Sequence, residues 1–378
     1  MKLFDVYSLL PIEPASAHGC WIYDRDLNKY LDLYGGHAVI SVGHNHTVYN
    51  EAIRRQLETI SFYSNSVQNP LQEELAEKLG KASGYEHHQL FLCNSGAEAN
   101  ENALKLASFV TGRSRIIAMK QAFHGRTSGA VAITDNARIR APFNNFHPVT
   151  FVPMNDTQAL DEALTGDVAA VIVEGIQGVA GIHEPSAAYL QHLATRTAAN
   201  GSLLILDEIQ SGYGRTGKFF AHQHAGIEPD LITVAKGMGN GFPIGGVLIK
   251  KEIQPWAGML GTTFGGNHLA CAAGIAVLDI IRSEELVKNA AEVGDYIRQY
   301  LGPAGLSSPI RGKGLMLGFD VPATHPDLRK NLLFSQRIFT GEAKPNVIRL
   351  LPPLTLRHEA AGRFIEALAT ELAEPPSA

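Results

Sequence analysis

Short apolar runs with few polar positions recur through the middle of the chain: QLFLCN (89–94), RIIAMK (115–120), AAVIVEG (169–175), SLLILDE (202–208), DLITVAKG (230–237) and GVLIKK (246–251). Runs of this length, apolar on both alternating faces, predict strands covered on both sides of a sheet. Between several of them the spacing becomes helical. Ala99, Ala103, Leu106, Ala107 and Val110 share one face; Leu190, Leu193, Ala194 and Thr197 follow the start signal Glu184, Pro185, Ser186; Leu269, Ala272, Ala273, Ala276 and Ile280 mark a third helix. Strands alternating with helices predict an α/β fold around a mostly parallel central sheet. The ends read differently. Residues 18–34 form a hairpin pattern turning at Asp24, Arg25 and Asp26, residues 308–320 and 346–356 are strand-like, and 357–373 is a terminal helix. The expected organisation is a large domain over 51–282 and a smaller α+β domain built by both termini, 1–50 and 283–378.

The bulk numbers narrow the function classes. A chain of 378 residues has room for a large core, and a formal charge of −5 offers no basic surface for nucleic acid. No apolar run reaches the ~18–20 residues of a membrane helix. The N-terminal stretch MKLFDVYSLLPIEP carries Asp5 and lacks a small-residue cleavage pattern, so no signal peptide is expected. Cys20, Cys93 and Cys271 are odd in number and far apart, which fits a reducing cytoplasm and argues against a disulfide scaffold. The pairs His44/His46, His87/His88 and His222/His224 have no third ligand placed by spacing, so no metal site is expected.

The candidate chemistry lies just past the strands. Asp207 ends one apolar run and Lys236 ends another, so a carboxylate and an amine stand at the carboxyl edge of the sheet, where α/β proteins bind ligands. Together they suit pyridoxal phosphate (PLP), which needs a lysine for a Schiff base with its aldehyde and an acid to hold its pyridine nitrogen protonated. CNSGAEANE (93–101) follows a strand and opens a helix, so Ser95, Gly96 and Ala97 could offer backbone N–H groups to a phosphate; alone, the segment reads equally well as an ordinary helix cap. QAFHGRTSG (121–129) offers Phe123 to stack on a flat ring and Arg126 to clamp a carboxylate, against a plain reading as core Phe and surface Arg. Glu208 and Gln210 follow Asp207, and Gln210 could donate to a phenolic oxygen. GTTFGGNHLA (261–270) places the hydroxyls of Thr262 and Thr263 before a glycine pair and a helix, a second phosphate contact. Each segment has a bland alternative; five in this order are hard to explain that way. A nicotinamide oxidoreductase is disfavoured because GMGNGF lacks the GxGxxG spacing, and a non-catalytic binding protein because Lys236 and Asp207 are both present.

These motifs, with HGCWIYDRDLNKYLDLYGGHAV near the N-terminus and NVIRLLPPL (346–354) near the C-terminus, resemble the class III (subgroup II) aminotransferases of PLP fold type I, and especially their acetylornithine/ornithine branch. The resemblance covers nearly the whole chain. It implies that Lys236 forms the Schiff base and shuttles the proton, Asp207 pairs with the pyridine nitrogen, Phe123 stacks on the ring, Gln210 lies near the ring oxygen, and Gly96 and Ala97 hold the phosphate. It implies a homodimer with shared active sites, Thr263 reaching the neighbouring subunit's phosphate. Thr262 would border the substrate, Arg126 would bind the α-carboxylate of an acylated ornithine, and Arg349 that of glutamate or 2-oxoglutarate. The implied activity is acylornithine (N-acetyl or N-succinyl) 5-aminotransfer to 2-oxoglutarate in arginine biosynthesis; ornithine, 4-aminobutyrate and succinyldiaminopimelate are the alternatives. One departure from the family pattern matters most: Val179, in VEGIQGVAG (173–181), stands where a glutamate that pairs with the C-terminal arginine is usual. Either another acid, such as Glu174, neutralises Arg349, or Arg349 stays free and grips a further anionic group, which would make the acyl group succinyl. His37 also stands where an aliphatic residue is usual.

Overall fold

The central sheet has seven strands in the order Gln89–Cys93, Gly245–Ile249, Leu231–Val234, Leu203–Asp207, Val168–Glu174, Arg115–Met119, Val149–Val152. This computed structural model describes residues 1–343 and 345–373. The last five strands of the list run parallel, while Gly245–Ile249 is antiparallel to both neighbours. All six apolar runs are strands of this sheet; the seventh, VTFV at Val149–Val152, is only four residues long and escaped the pattern.

Alternation along the strands feeds two cores. Ile116, Ala118, Ala170, Ile172 and Ile205 meet Ala99, Ala103 and Leu106 on one face. Ile117, Met119, Val171, Val173, Leu204 and Leu206 meet Tyr189, Leu190 and Leu193 on the other. Every residue of Val168–Glu174 is buried, which is why that segment reads as one unbroken apolar run. The covering helices start where their caps dictate: Ser95 Oγ accepts from Glu98 N–H at the head of Gly96–Thr111, Ser186 Oγ from Tyr189 N–H at Ala187–Asn200, and Asn267 Oδ1 from Ala270 N–H at His268–Ser283. The first two end on Gly112 and Gly201 in the left-handed conformation.

A second seven-stranded sheet joins the two ends of the chain, in the order Pro14–His18, Trp21–Asp24, Lys29–Leu33, Ile338–Ala343, Val347–Leu350, Met316–Asp320, Arg311–Lys313. Its one parallel contact pairs Leu31 with Ile338, the seam between N- and C-terminal segments. The expected hairpin turns at Asp24, whose Oδ1 accepts from the N–H groups of Asp26 and Asn28. The terminal helix is His358–Ala373. Among the described residues, no helix is long and apolar enough to cross a membrane and no cluster of side chains could hold a metal ion.

Candidate active site

The carboxyl ends of the central strands open onto a cavity of about 440 Å³. Of the residues singled out in the sequence, Ser95, Gly96, Ala97, Phe123, Arg126, Asp207, Gln210 and Lys236 all line it, as do Glu174 and Val179. Five loops that are distant in sequence meet here because the parallel strands all deliver their chain ends to one edge.

Asp207 is 4% exposed and held from three sides. Its Oδ2 accepts from His124 Nδ1 at 2.7 Å and Asn100 Nδ2 at 2.9 Å, and its Oδ1 from Ile209 N–H at 3.0 Å. Lys236 follows strand Leu231–Val234 in a single helical turn, with φ of 49°, the left-handed region that a non-glycine residue enters at a cost. That turn points its amine back over the sheet edge. Among the described residues the amine has no hydrogen-bond or ion-pair partner. Burial lowers its pKa to about 8; Asp207 and Glu174 oppose the shift while Arg349 and Arg215 add to it.

The segment over residues 94–97 caps a helix and lines the cavity at once. Ser95 Oγ closes the helix start, and Glu98 Oε2 reaches back to the N–H and side chain of Asn94. The next amides, Gly96 and Ala97, face the cavity at the positive end of a 16-residue helix. Gly96 packs closely there, since a Cβ would stand 2.8 Å from Ile209 Cδ1 and force that side chain to move.

Other expected residues lie elsewhere. Glu208 does not line the cavity: its buried carboxylate accepts from Ser211 Oγ, the N–H groups of Ala221 and His222, and His222 Nδ1, whose other nitrogen meets Tyr85 Oη at 2.6 Å. Thr262 Oγ1 accepts from Gly265 N–H and Asn94 Nδ2, closing its own turn. Thr263 is exposed, beside Phe264, whose ring packs on Phe62. Arg349, in Val347–Leu350, is buried behind the Val179 loop and donates from Nη1 to Gly178 O at 3.0 Å. It has no ion pair among the described residues. Glu174 makes no direct ion pair with it: that carboxylate accepts from the N–H groups of Phe123 and Gly178, and its charge acts on Arg349 only at longer range. The strained turn Gly35–Ala38, with positive φ at all four residues, sets His37 against Tyr34 Oη near the cavity mouth.

Asn100 and the packing role of Ile209 were missed from the sequence. An asparagine inside a helix is a poor helix former, and that misfit was the available signal. Two residues lining the cavity carry buried polar atoms without protein partners, His124 Nε2 and Gln210 Oε1, and Asn100 Oδ1 and Arg349 Nε are also unpartnered. A free amine, a fixed acid, an aromatic face and an anion-binding helix start, together with these unsatisfied polar atoms, fit a flat, phosphorylated, aldehyde-bearing cofactor.

Fold and site define a PLP-dependent transaminase, and the chain belongs to the class-III aminotransferases, whose family model matches residues 6–372. PLP is the cofactor of that family. Among curated relatives, the acetylornithine aminotransferase of Bacillus subtilis (strain 168) is 42% identical over 384 residues, covering 98% of each chain. That of Archaeoglobus fulgidus is 38% identical, covering 97% of each. Among solved structures, the ornithine aminotransferase of Toxoplasma gondii ME49 superposes with a TM-score of 0.90 at 28% identity, over 97% of this chain and 91% of that one. A second structure of the T. gondii enzyme, with a TM-score of 0.89 over 97% of this chain and 90% of that one at 28% identity, has PLP at partial occupancy in its active site.

Proposed function

We propose that this chain is an acylornithine 5-aminotransferase of arginine biosynthesis. It would convert an N-acylornithine and 2-oxoglutarate to the N-acylglutamate 5-semialdehyde and glutamate. The observation that carries the reading is the placing of two guanidinium groups about one lysine: Arg126 on the cavity wall, and Arg349 behind Val179 without an ion pair. Each suits a carboxylate at one end of a substrate whose amine lies at Lys236. Simple diamines lack the carboxylate that Arg126 would take; ornithine, 4-aminobutyrate and succinyldiaminopimelate are the competitors that keep one.

When bound, PLP supplies the electron sink that stabilises a carbanion at the substrate carbon. The protein's share is positional and protonic. Asp207, pinned by His124, Asn100 and Ile209, would accept the ring N–H and keep it protonated. Phe123 would cover one ring face, Gln210 would meet the ring oxygen, and Gly96 and Ala97 would bind the phosphate. Lys236, with its lowered pKa, would exist partly as free amine near neutrality and could take and return the proton at the reacting carbon.

The curated relatives favour N-acetylornithine. A second reading, N-succinylornithine, is favoured by the unpaired Arg349 and by Val179, which cannot neutralise it. Single half-reactions of the PLP-loaded protein with N-acetylornithine, N-succinylornithine, ornithine and 4-aminobutyrate test both. Strong preference for an acylornithine supports the assignment, and preference for a free ω-amine overturns it. No gain of succinyl over acetyl, and no shift of that ratio in Val179→Glu, removes the second reading.

We further propose a homodimer in which the exposed Thr263 serves the neighbouring site, a cytoplasmic location in keeping with three free buried cysteines, and a division into domains 51–282 and 1–50 with 283–378, supported by the two sheets.

A further inference from the structure

Glu174 ends strand Val168–Glu174 in register with Asp207 and is 5% exposed. Its Oε1 accepts from Phe123 N–H at 3.0 Å and its Oε2 from Gly178 N–H at 3.1 Å. Phe123 lines the cavity, on the loop that would cover the cofactor ring. Gly178 is the residue whose carbonyl accepts from Arg349 Nη1 at 3.0 Å. Gly178 also lies close under the end of the Gln210 side chain, which a Cβ there would displace. One buried carboxylate thus joins two loops, and one glycine joins that carboxylate to the arginine.

We propose that Glu174 is a positioning residue that, through Gly178, sets Arg349 for a dicarboxylate, so that the 2-oxoglutarate half-reaction depends on Glu174 more than the acylornithine half does. This rests on the reading of Arg349 given above. The charged groups facing Glu174 are His124, Asp207, Lys236 and Arg349. Burial pushes its carboxyl up to about 7; His124 draws it down and Asp207 raises it further. Above that value both oxygens accept from the amides. Below it one oxygen becomes a hydroxyl, a poorer acceptor, and the hold on one loop weakens. Dicarboxylate affinity therefore falls as pH drops through about 7.

The test uses the PLP-loaded protein and the unreactive dicarboxylate glutarate, with binding measured by isothermal titration calorimetry at about pH 6 and about pH 8. Wild type should bind glutarate more weakly at the lower pH. Glu174→Gln keeps the shape but turns an amide NH₂ towards a backbone N–H. It should weaken glutarate binding ~10- to 100-fold at the higher pH, flatten the pH dependence, and slow the N-acetylornithine half-reaction by a distinctly smaller factor. Glu174→Asp, which keeps the charge on a shorter arm, should fall between, and it is read by the same criteria if the glutamine variant does not fold. Glu174→Gln that binds glutarate like wild type, or loses both halves equally, overturns the coupling. Arg349→Gln separates the two readings. If it loses glutarate, the Arg349 assignment stands whatever Glu174 does; if it keeps glutarate, the assignment and this inference both fall.

Discussion

Replacing Asn100 by alanine tests whether Asp207, proposed to hold the cofactor ring, depends on being held still. Asn100 is fully buried. Its Nδ2 donates to Asp207 Oδ2 at 2.9 Å and to the His124 carbonyl at 2.7 Å. A hydrogen bond to a charged acceptor contributes about 1.5–3 kcal/mol and one to a neutral carbonyl about 0.5–1.5 kcal/mol, so removing both costs at most roughly 2–4.5 kcal/mol. The share passing through Asp207 is the functional one. His124 and Ile209 N–H still hold the carboxylate, but it loses one of three restraints. At 1.4 kcal/mol per decade, PLP affinity should weaken ~10- to 100-fold, with kcat/KM falling in parallel. The assay is spectroscopic titration of apo-protein with PLP, alongside urea unfolding of the same apo-protein. Leu193→Ala is the control: Leu193 is fully buried under the opposite face of the sheet, and its truncation should cost about 2–5 kcal/mol of stability with PLP affinity unchanged. If Asn100→Ala loses stability as the control does yet binds PLP like wild type, Asn100 is packing and the reasoning fails.

Two further outcomes are expected. In apo-protein the Lys236 amine titrates near 8, well below an ordinary lysine, so the unfolded chain binds more protons between about 8 and 10.5. The Lys236 contribution to apo stability should rise with pH across that window by up to about 3 kcal/mol, read as the difference between wild type and Lys236→Met in urea unfolding at each pH, in which the opposing contribution of the raised thiols cancels; a difference that does not change with pH would refute it. Burial pushes the thiols of Cys20, Cys93 and Cys271 up to about 11, 12 and 12; an aromatic disulfide reagent should find none of them in native protein and three after denaturation, and rapid native labelling would contradict their burial.

The parts legible in the sequence are those where one physical rule governs a whole segment. Val168–Glu174 announces itself because all seven residues are buried, and Gly96–Thr111 because its cap and apolar face agree. Asp207 and Lys236 were found because each interrupts an apolar run. What escaped depends on partners far along the chain. Val149–Val152 is a strand because Arg115–Met119 pairs with it. Asn100 matters because the fold brings Asp207 against it, 107 residues on. Glu208 misled because it adjoins Asp207, yet the strand's alternation turns its side chain the other way, into a buried network with His222 and Tyr85.

The seam between Leu31 and Ile338 also dictates an order of assembly. The strands carrying Asp207 and Lys236 are neighbours in sequence and can pair early. The N-terminal hairpin cannot find its partner until residue 338 has left the ribosome. Closing so long a loop is slow, and the waiting strand edge is sticky meanwhile. During synthesis Asp207 and Lys236 can therefore be in place before the sheet bearing Arg349 exists, and that wall of the cavity is the last to be finished.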